Sequence, residues 1–290
     1  MRKLWCGTLI ILIMSLLVAC GQTATPTKSK DGKSGSSTTE NISDLTLSEV
    51  LEKSTEANKN LKSFSTKMDL NYKMNVKNIT MDTKSKLDMK IILDPINVHQ
   101  KMEYFMTLGE QKQEQSVVMD MYLTEDGFFM FEPTQELWMK LPIDLKDQFL
   151  ELENSQTNPA DQLEELKNFE EDFTFEQDNE NFILTLKAEG EKFEEFLKET
   201  AISSMPEDMQ IDASLADFMT FNNVEYEIYI DKETFFTSKL NIMMDIEADL
   251  EGEKMNIVQE ITSSYAEFNA IDSIEVPQEA LDNAKEIDNN

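Results

Sequence analysis

Phe64-Ser65-Thr66-Lys67-Met68-Asp69-Leu70-Asn71-Tyr72-Lys73-Met74-Asn75-Val76 decides the fold of this 290-residue chain. Phe64, Thr66, Met68, Leu70, Tyr72, Met74 and Val76 alternate strictly with Ser65, Lys67, Asp69, Asn71, Lys73 and Asn75. Successive side chains of a strand point to opposite faces, so the stretch predicts a strand with one apolar and one polar face. At about 3.4 Å per residue it is roughly 40 Å long, well beyond the usual strand.

The same period continues downstream. Ile79, Met81, Leu87, Met89, Ile91 and Leu93 share one face of a second run, which Asp94-Pro95 breaks. Ile96, Val98, Met102, Tyr104, Met106 and Leu108 form a third, and Val117, Met119, Met121 and Leu123 a fourth. Asp126-Gly127 predicts a tight hairpin into Phe128–Phe131, and a short strand over 138–141 stops at Pro142. Near the C-terminus Val224–Ile230, Leu240–Leu250 and Met255–Tyr265 show the alternation again.

Helical signals are fewer. Thr46-Leu47-Ser48-Glu49 matches a capping box, followed by Val50, Leu51, Ser54 and Leu61 at helical spacing. Pro159 opens a second helix with Leu163 and Leu166 on one side. A strand pair is expected at Phe173/Phe175 and Phe182/Leu184/Leu186. A helix from Gly190 buries Phe193, Phe196 and Leu197, and stops before Pro206. Residues 206–221 favour neither state, and a short helix is expected after Pro277. The pattern predicts a β-rich α+β fold: a large antiparallel sheet with a few helices covering its apolar face.

The N-terminus carries a different signal. Arg2 and Lys3 precede an apolar run over 4–18, the length of a signal-peptide core and short for a membrane span. The run ends in Leu17-Val18-Ala19-Cys20, which resembles the lipobox of bacterial lipoproteins. The resemblance implies cleavage between Ala19 and Cys20, with a thioether-linked diacylglycerol on Cys20. That places the protein on the extracellular face of the cell membrane, held by its lipid anchor. Residues 20–44, rich in Thr, Ser, Lys, Gly and Pro, are expected to form a flexible linker, residues 45–282 the folded domain, and residues 283–290 a disordered tail.

Composition narrows the chemistry. Without Arg2 and Lys3, 57 acidic residues face 24 basic ones, an excess of 33 negative charges. Nucleic acid and anionic headgroups would be repelled, so no nucleic-acid function is expected. Cys6 leaves with the leader and Cys20 carries lipid, so the folded body has no thiol for disulfides, metal or nucleophilic catalysis. One histidine, His99, out of phase with its strand and expected to face solvent, makes imidazole metal sites and His-based triads poor prospects. The acidic runs lack calcium-loop spacing, and no G-x-S-x-G, H-E-x-x-H or phosphate loop occurs. No enzyme activity, cofactor or metal is expected.

As an ordered set, NLKSFSTKMDLNYKM, MYLTEDGFFMFEP, LWMKLP, LTLKAEGEKFEEF, YEIYIDKETFFTSKLNI and SSYAEFNAIDSIEVP resemble a group of uncharacterised lipoproteins from Bacillus-like Gram-positive bacteria, the DUF6612 type. The resemblance spans about residues 45–280. More remotely the chain resembles the LolA/LolB and LppX/LprG lipoprotein fold, which implies a curved half-barrel closed by helices around a lipid-carrying cavity.

Two readings of the apolar face follow. In one, its methionines are dry core. In the other, Met68, Leu70, Tyr72, Met74, Met102, Tyr104, Met106, Met119, Met121 and Met244 line a deformable site for a lipid or acyl chain. Methionine is unbranched and polarizable and suits ligands of irregular shape. The rival to lipid binding is a surface interaction or sensory module that docks a protein through an acidic outer face, with no partner identified.

Overall fold

The computed structural model describes residues 22–27, 41–77, 79–108, 111–142, 163, 166–187, 193–198, 218–250 and 253–287. The N-terminal half contributes β1 (Thr25–Pro26), α1 (Leu47–Lys59), β2 (Ser63–Val76), β3 (Ile79–Leu93), β4 (Ile96–Leu108), β5 (Gln111–Thr124), β6 (Gly127–Glu132) and β7 (Leu137–Leu141). The C-terminal half contributes β8 (Phe173–Gln177), β9 (Asn181–Lys187), β10 (Met219–Asp231), β11 (Thr237–Leu250), β12 (Glu253–Ala266), α2 (Gln278–Asn283) and β13 (Lys285–Glu286). The expected β-rich α+β class is met by one curved, open sheet.

The strand order is β1-β8-β9-β10-β11-β12-β2-β3-β4-β5-β6-β7-β13. Two meanders, β2–β7 and β8–β12, are therefore joined where β12 pairs antiparallel with β2. The first and last long strands meet at the centre, and the connection from β7 to β8 runs between opposite flanks. Directly opposed residues share a face, so the register aligns the alternating patterns into continuous rows. One row runs Leu240–Ser263–Met68–Leu87–Met102–Met119, and the next Tyr226–Ile242–Ile261–Leu70–Ser85–Tyr104–Val117.

Coverage of that face is uneven. The capping box at α1 forms as expected: Thr46 Oγ1 accepts from Glu49 N–H at 3.3 Å, and Glu49 Oε2 accepts from Thr46 N–H at 2.8 Å. The Thr46 N–H and the Thr46 hydroxyl, both donating to Glu49 Oε2, hold that carboxyl below its ordinary value. α1 sets Leu47, Val50 and Leu51 against Phe175, Phe182, Leu184 and Ile230 of the β8–β10 flank. Phe193 and Leu197, on the helical segment 193–198, join the same core. A second cluster gathers Leu61, Phe64, Ile91, Val98, Leu123 and Phe128 at one end of β2–β6.

Four features differ from the sequence expectation. Residues 22–27 are not wholly tether, because β1 pairs with β8 and Ala24 is buried in the main core. The C-terminal tail does not lose structure at 283, because β13 runs parallel to β7 and Ile287 N–H donates to Lys140 O at 3.1 Å. α2 covers the opposite face, where Phe129 and Trp138 pack with Val276 and Ala280. β6 and β7 are apolar on both sides and need that cover. The second expected helix ends in a 3-10 stretch, Lys167–Asp172, with a kink at Phe169 (φ −114°, ψ 21°), and Phe169 is buried just before the chain enters β8. The remainder of that helix, the ends of the helix expected from Gly190, and most of 206–221 lie outside the described residues.

Candidate functional site

The ten candidate residues come from four strands, β2, β4, β5 and β11, and lie on one face. The register sets Met68 opposite Leu87, Leu87 opposite Met102, and Met102 opposite Met119. Tyr72 and Met244 both oppose Gln259, and Met74 opposes Met81 on one side and Ile257 on the other. Period-two alternation on each strand, multiplied by in-register pairing, thus brings together side chains up to 176 positions apart in sequence (Met68 to Met244).

Their environment differs from that of the core. Leu184, Leu186 and Ile230 are fully buried, while nine of the ten candidates are half-buried and Met106 is 39% exposed. Met121 and Met244 pack at the margins of the buried clusters; the other eight belong to none of the clusters formed among the described residues. Ile242, Ile246, Ile257, Ile261, Leu87 and Val117 complete the same face. Their strands were legible, but that they belong to the site required the pairing.

Polar groups punctuate the face. The Tyr72 and Tyr104 hydroxyls each point at the sulfur two residues on, Met74 and Met106, at 3.7 Å. Burial pushes the Tyr72 phenol above its ordinary value. Thr83, Ser85 and Gln259 interrupt the apolar rows, and the buried Thr66 and Thr237 hydroxyls have no hydrogen-bond partner. An unsatisfied buried hydroxyl is unfavourable by about 1–3 kcal/mol, which a polar atom of a ligand could offset. The face therefore offers a long, soft apolar strip with scattered donors.

The outer face is of mixed charge. Lys67, Lys73, Lys84, Lys86, Lys90 and Lys101 line β2–β4, with Asp69, Asp82 and Asp88 set among them. Lys67 Nζ reaches Asp88 Oδ1 at 2.6 Å, and Lys77 reaches Glu253 at 2.5 Å. The acidic outer face expected from composition is absent on these strands, because lysines oppose acids across the register. His99 lies on this face as expected from its phase, but it is not free in solvent. Its Nε2 is 2.8 Å from Asp120 Oδ1 and its ring stacks on Tyr122 at 4.2 Å. A cavity of about 610 Å³ near the far strand ends is lined by Asn75, Lys77, Glu247, Glu253, Lys254, Met255 and Asn256, and includes none of the ten candidates.

Among the described residues no group of three or more His, Cys, Asp or Glu side chains could hold a metal ion. No helix among them is long and apolar enough to cross a membrane. Ala19 and Cys20 lie outside the described residues.

A search of curated proteins found no match. Among solved structures, LprF from Mycobacterium bovis is similar at 9% identity over 80% of this chain and 96% of that one, with a TM-score of 0.36. A DUF1329 family protein from Desulfovibrio piger is similar at 6% identity over 79% and 95%, with a TM-score of 0.23. The family kinship expected from the ordered segments is met: residues 46–285 match the family of unknown function DUF6612, and the chain belongs to it.

Proposed function

We propose that this protein is a non-enzymatic lipoprotein, anchored through Cys20 on the outer face of the cell membrane, that holds an acyl chain between its sheet and helices. The observation that carries the reading is the half-buried strip. Eight candidates, from Met68 to Met119, are withdrawn from full exposure yet join no buried core cluster among the described residues. Such a surface gains by taking up an apolar guest. Burying ten methylenes contributes about 8 kcal/mol at roughly 0.8 kcal/mol each, before the cost of ordering the chain. Methionine adapts to chains of different length, and Tyr72, Tyr104 and the orphaned threonine hydroxyls supply polar contacts for an ester or carboxyl end.

Native mass spectrometry of the domain, expressed in bacteria and gently purified, tests this. A mass excess that organic extraction removes and resolves into acyl species is the expected outcome. A bare mass that stays unchanged after incubation with fatty acid and phospholipid overturns the reading.

A further inference from the structure

The segment after the lipidation site is built into the domain. Thr25 and Pro26 pair in parallel with Glu176 and Gln177, and Thr27 N–H donates to Gln177 O at 2.7 Å. Leu47 N–H, at the start of α1, donates to Gln22 O at 2.9 Å, and Thr23 bridges Thr46. Ala24 is 7% exposed and belongs to the main core. Pro26 has no N–H to offer, which suits the outermost strand of a sheet and blunts its edge. The Gln177 side chain, 1% exposed, locks the arrangement: its Nε2 donates to Ala24 O at 3.1 Å and to Ser43 O at 3.0 Å.

We infer that residues 22–27 act as a strap that seats the domain directly on the lipid bilayer, with the β8 edge and the start of α1 facing the headgroups. This rests on the reading of Cys20 as the lipidated terminus. Only Gly21 separates Gln22 from Cys20, a reach of at most about 7 Å. A free linker over 20–44 would instead wander roughly 25–30 Å. With an excess of 33 negative charges beyond the leader, a loosely tethered body would drift from an anionic surface. The strap holds the α1 end of the apolar face where an acyl chain can leave the bilayer without crossing a wide layer of water.

The test uses the full lipidated chain in phosphatidylcholine vesicles carrying a headgroup-bound paramagnetic metal. Nitroxides are placed at Ser48→Cys, in the first turn of α1, and at Glu125→Cys, in the turn between β5 and β6; both parent residues are exposed. The expected relaxation enhancement is several-fold greater at position 48 than at 125, and stays so when phosphatidylglycerol is added. Ten Gly/Ser residues inserted between Gly21 and Gln22 leave the folded contacts intact and should erase the difference, as should Gln177→Ala. Equal enhancement at both sites in the parent chain overturns the seating. Exchange of the Thr27 and Leu47 amides, read on a Cys20→Ser chain, reports the strap by itself, and unprotected amides overturn it. The mass of the N-terminal peptide separates the two proposals: a peptide without diacylglycerol removes the anchor and the seating together, while a lipidated peptide with equal enhancement removes the seating alone.

Discussion

Gln177 Oε1 accepts a hydrogen bond from Lys232 Nζ at 2.7 Å, joining the flank of the sheet to the turn that follows β10. Lys232 also donates to Asp178 O at 2.6 Å and to Asn41 O, so the three protons of its ammonium meet three acceptors. The same Gln177 oxygen accepts from Ser43 N–H at 2.8 Å. One amide thereby ties together strands and segments up to 153 residues apart, as in its bond to Ala24. Gln177→Ala removes these bonds and orphans several buried partners, an expected loss of about 2–3 kcal/mol. Lys232→Arg should recover little of the stability that Lys232→Ala loses, because a planar guanidinium cannot point at three acceptors set around a point. Urea midpoints of the variants check both statements.

Alkaline stability follows from Tyr229. Burial, reinforced by Glu227, Asp178 and Glu176, pushes its phenol from 10.0 up to about 12. The folded chain thus keeps this proton at a pH where the unfolded chain releases it, so stability present below pH 10 is lost as the pH climbs from 10 to about 12. Tyr72, Tyr122 and Tyr265 are pushed in the same direction by burial and add to the trend. Tyr229 is substantially solvated, so after discount for screening its share is about 1 kcal/mol. Denaturant titrations at successive pH values should show the decline, and Tyr229→Phe should flatten it. An unchanged slope in that variant refutes the assignment.

Gly127 opens β6 with φ +139°, a conformation that side-chain-bearing residues rarely adopt. A Cβ there would stand 3.1 Å from Lys140 Cε and 3.2 Å from Phe129 Cε2. Lysine can swing away, but Phe129 is 2% exposed and held in the outer-face cluster. Gly127→Ala should lower stability by about 1–3 kcal/mol through backbone strain and this contact. Amide exchange should quicken in β6 and β7 before it does in the β10–β12 region.

The strands and the apolar face were legible because their signal is local. Phe64 to Val76 reports its own faces through alternation, and the capping box at Thr46 and Glu49 names its own helix. The edges were not legible, because their signal lies elsewhere in the chain. Nothing in Thr25-Pro26 suggests a strand; its partners are Glu176 and Gln177, and a side chain 153 positions from Ala24 completes it. Lys285-Glu286 is ordered by Met139 and Lys140 in the same way. The mixed outer face was hidden for a related reason. Net charge sums over the chain, whereas Lys67 meets Asp88 only once β2 and β3 pair. The candidate residues were found as a face, but their half-buried state depends on where the covering helices stop.

Met102 and Leu184 separate the two readings of that face. Both are apolar strand residues on the same side of the sheet. Leu184 is 0% exposed inside the main core, while Met102 is half-buried between Leu87 and Met119. Leu184→Ala leaves a cavity in packed surroundings and should lower stability by about 2–5 kcal/mol. Met102→Ala removes side-chain atoms that water already partly reaches, an expected loss of about 1 kcal/mol. Binding of a fluorescent fatty acid should invert the ranking. Met102→Ala weakens it several-fold and Met102→Asp abolishes it, because a carboxylate in the strip would have to lose water against the acyl chain. Leu184→Ala, assayed well below its unfolding midpoint, should bind nearly as the parent does. Equal stability losses at the two positions, with no change in fatty-acid binding, would make Met102 ordinary core and remove the strip as a ligand site.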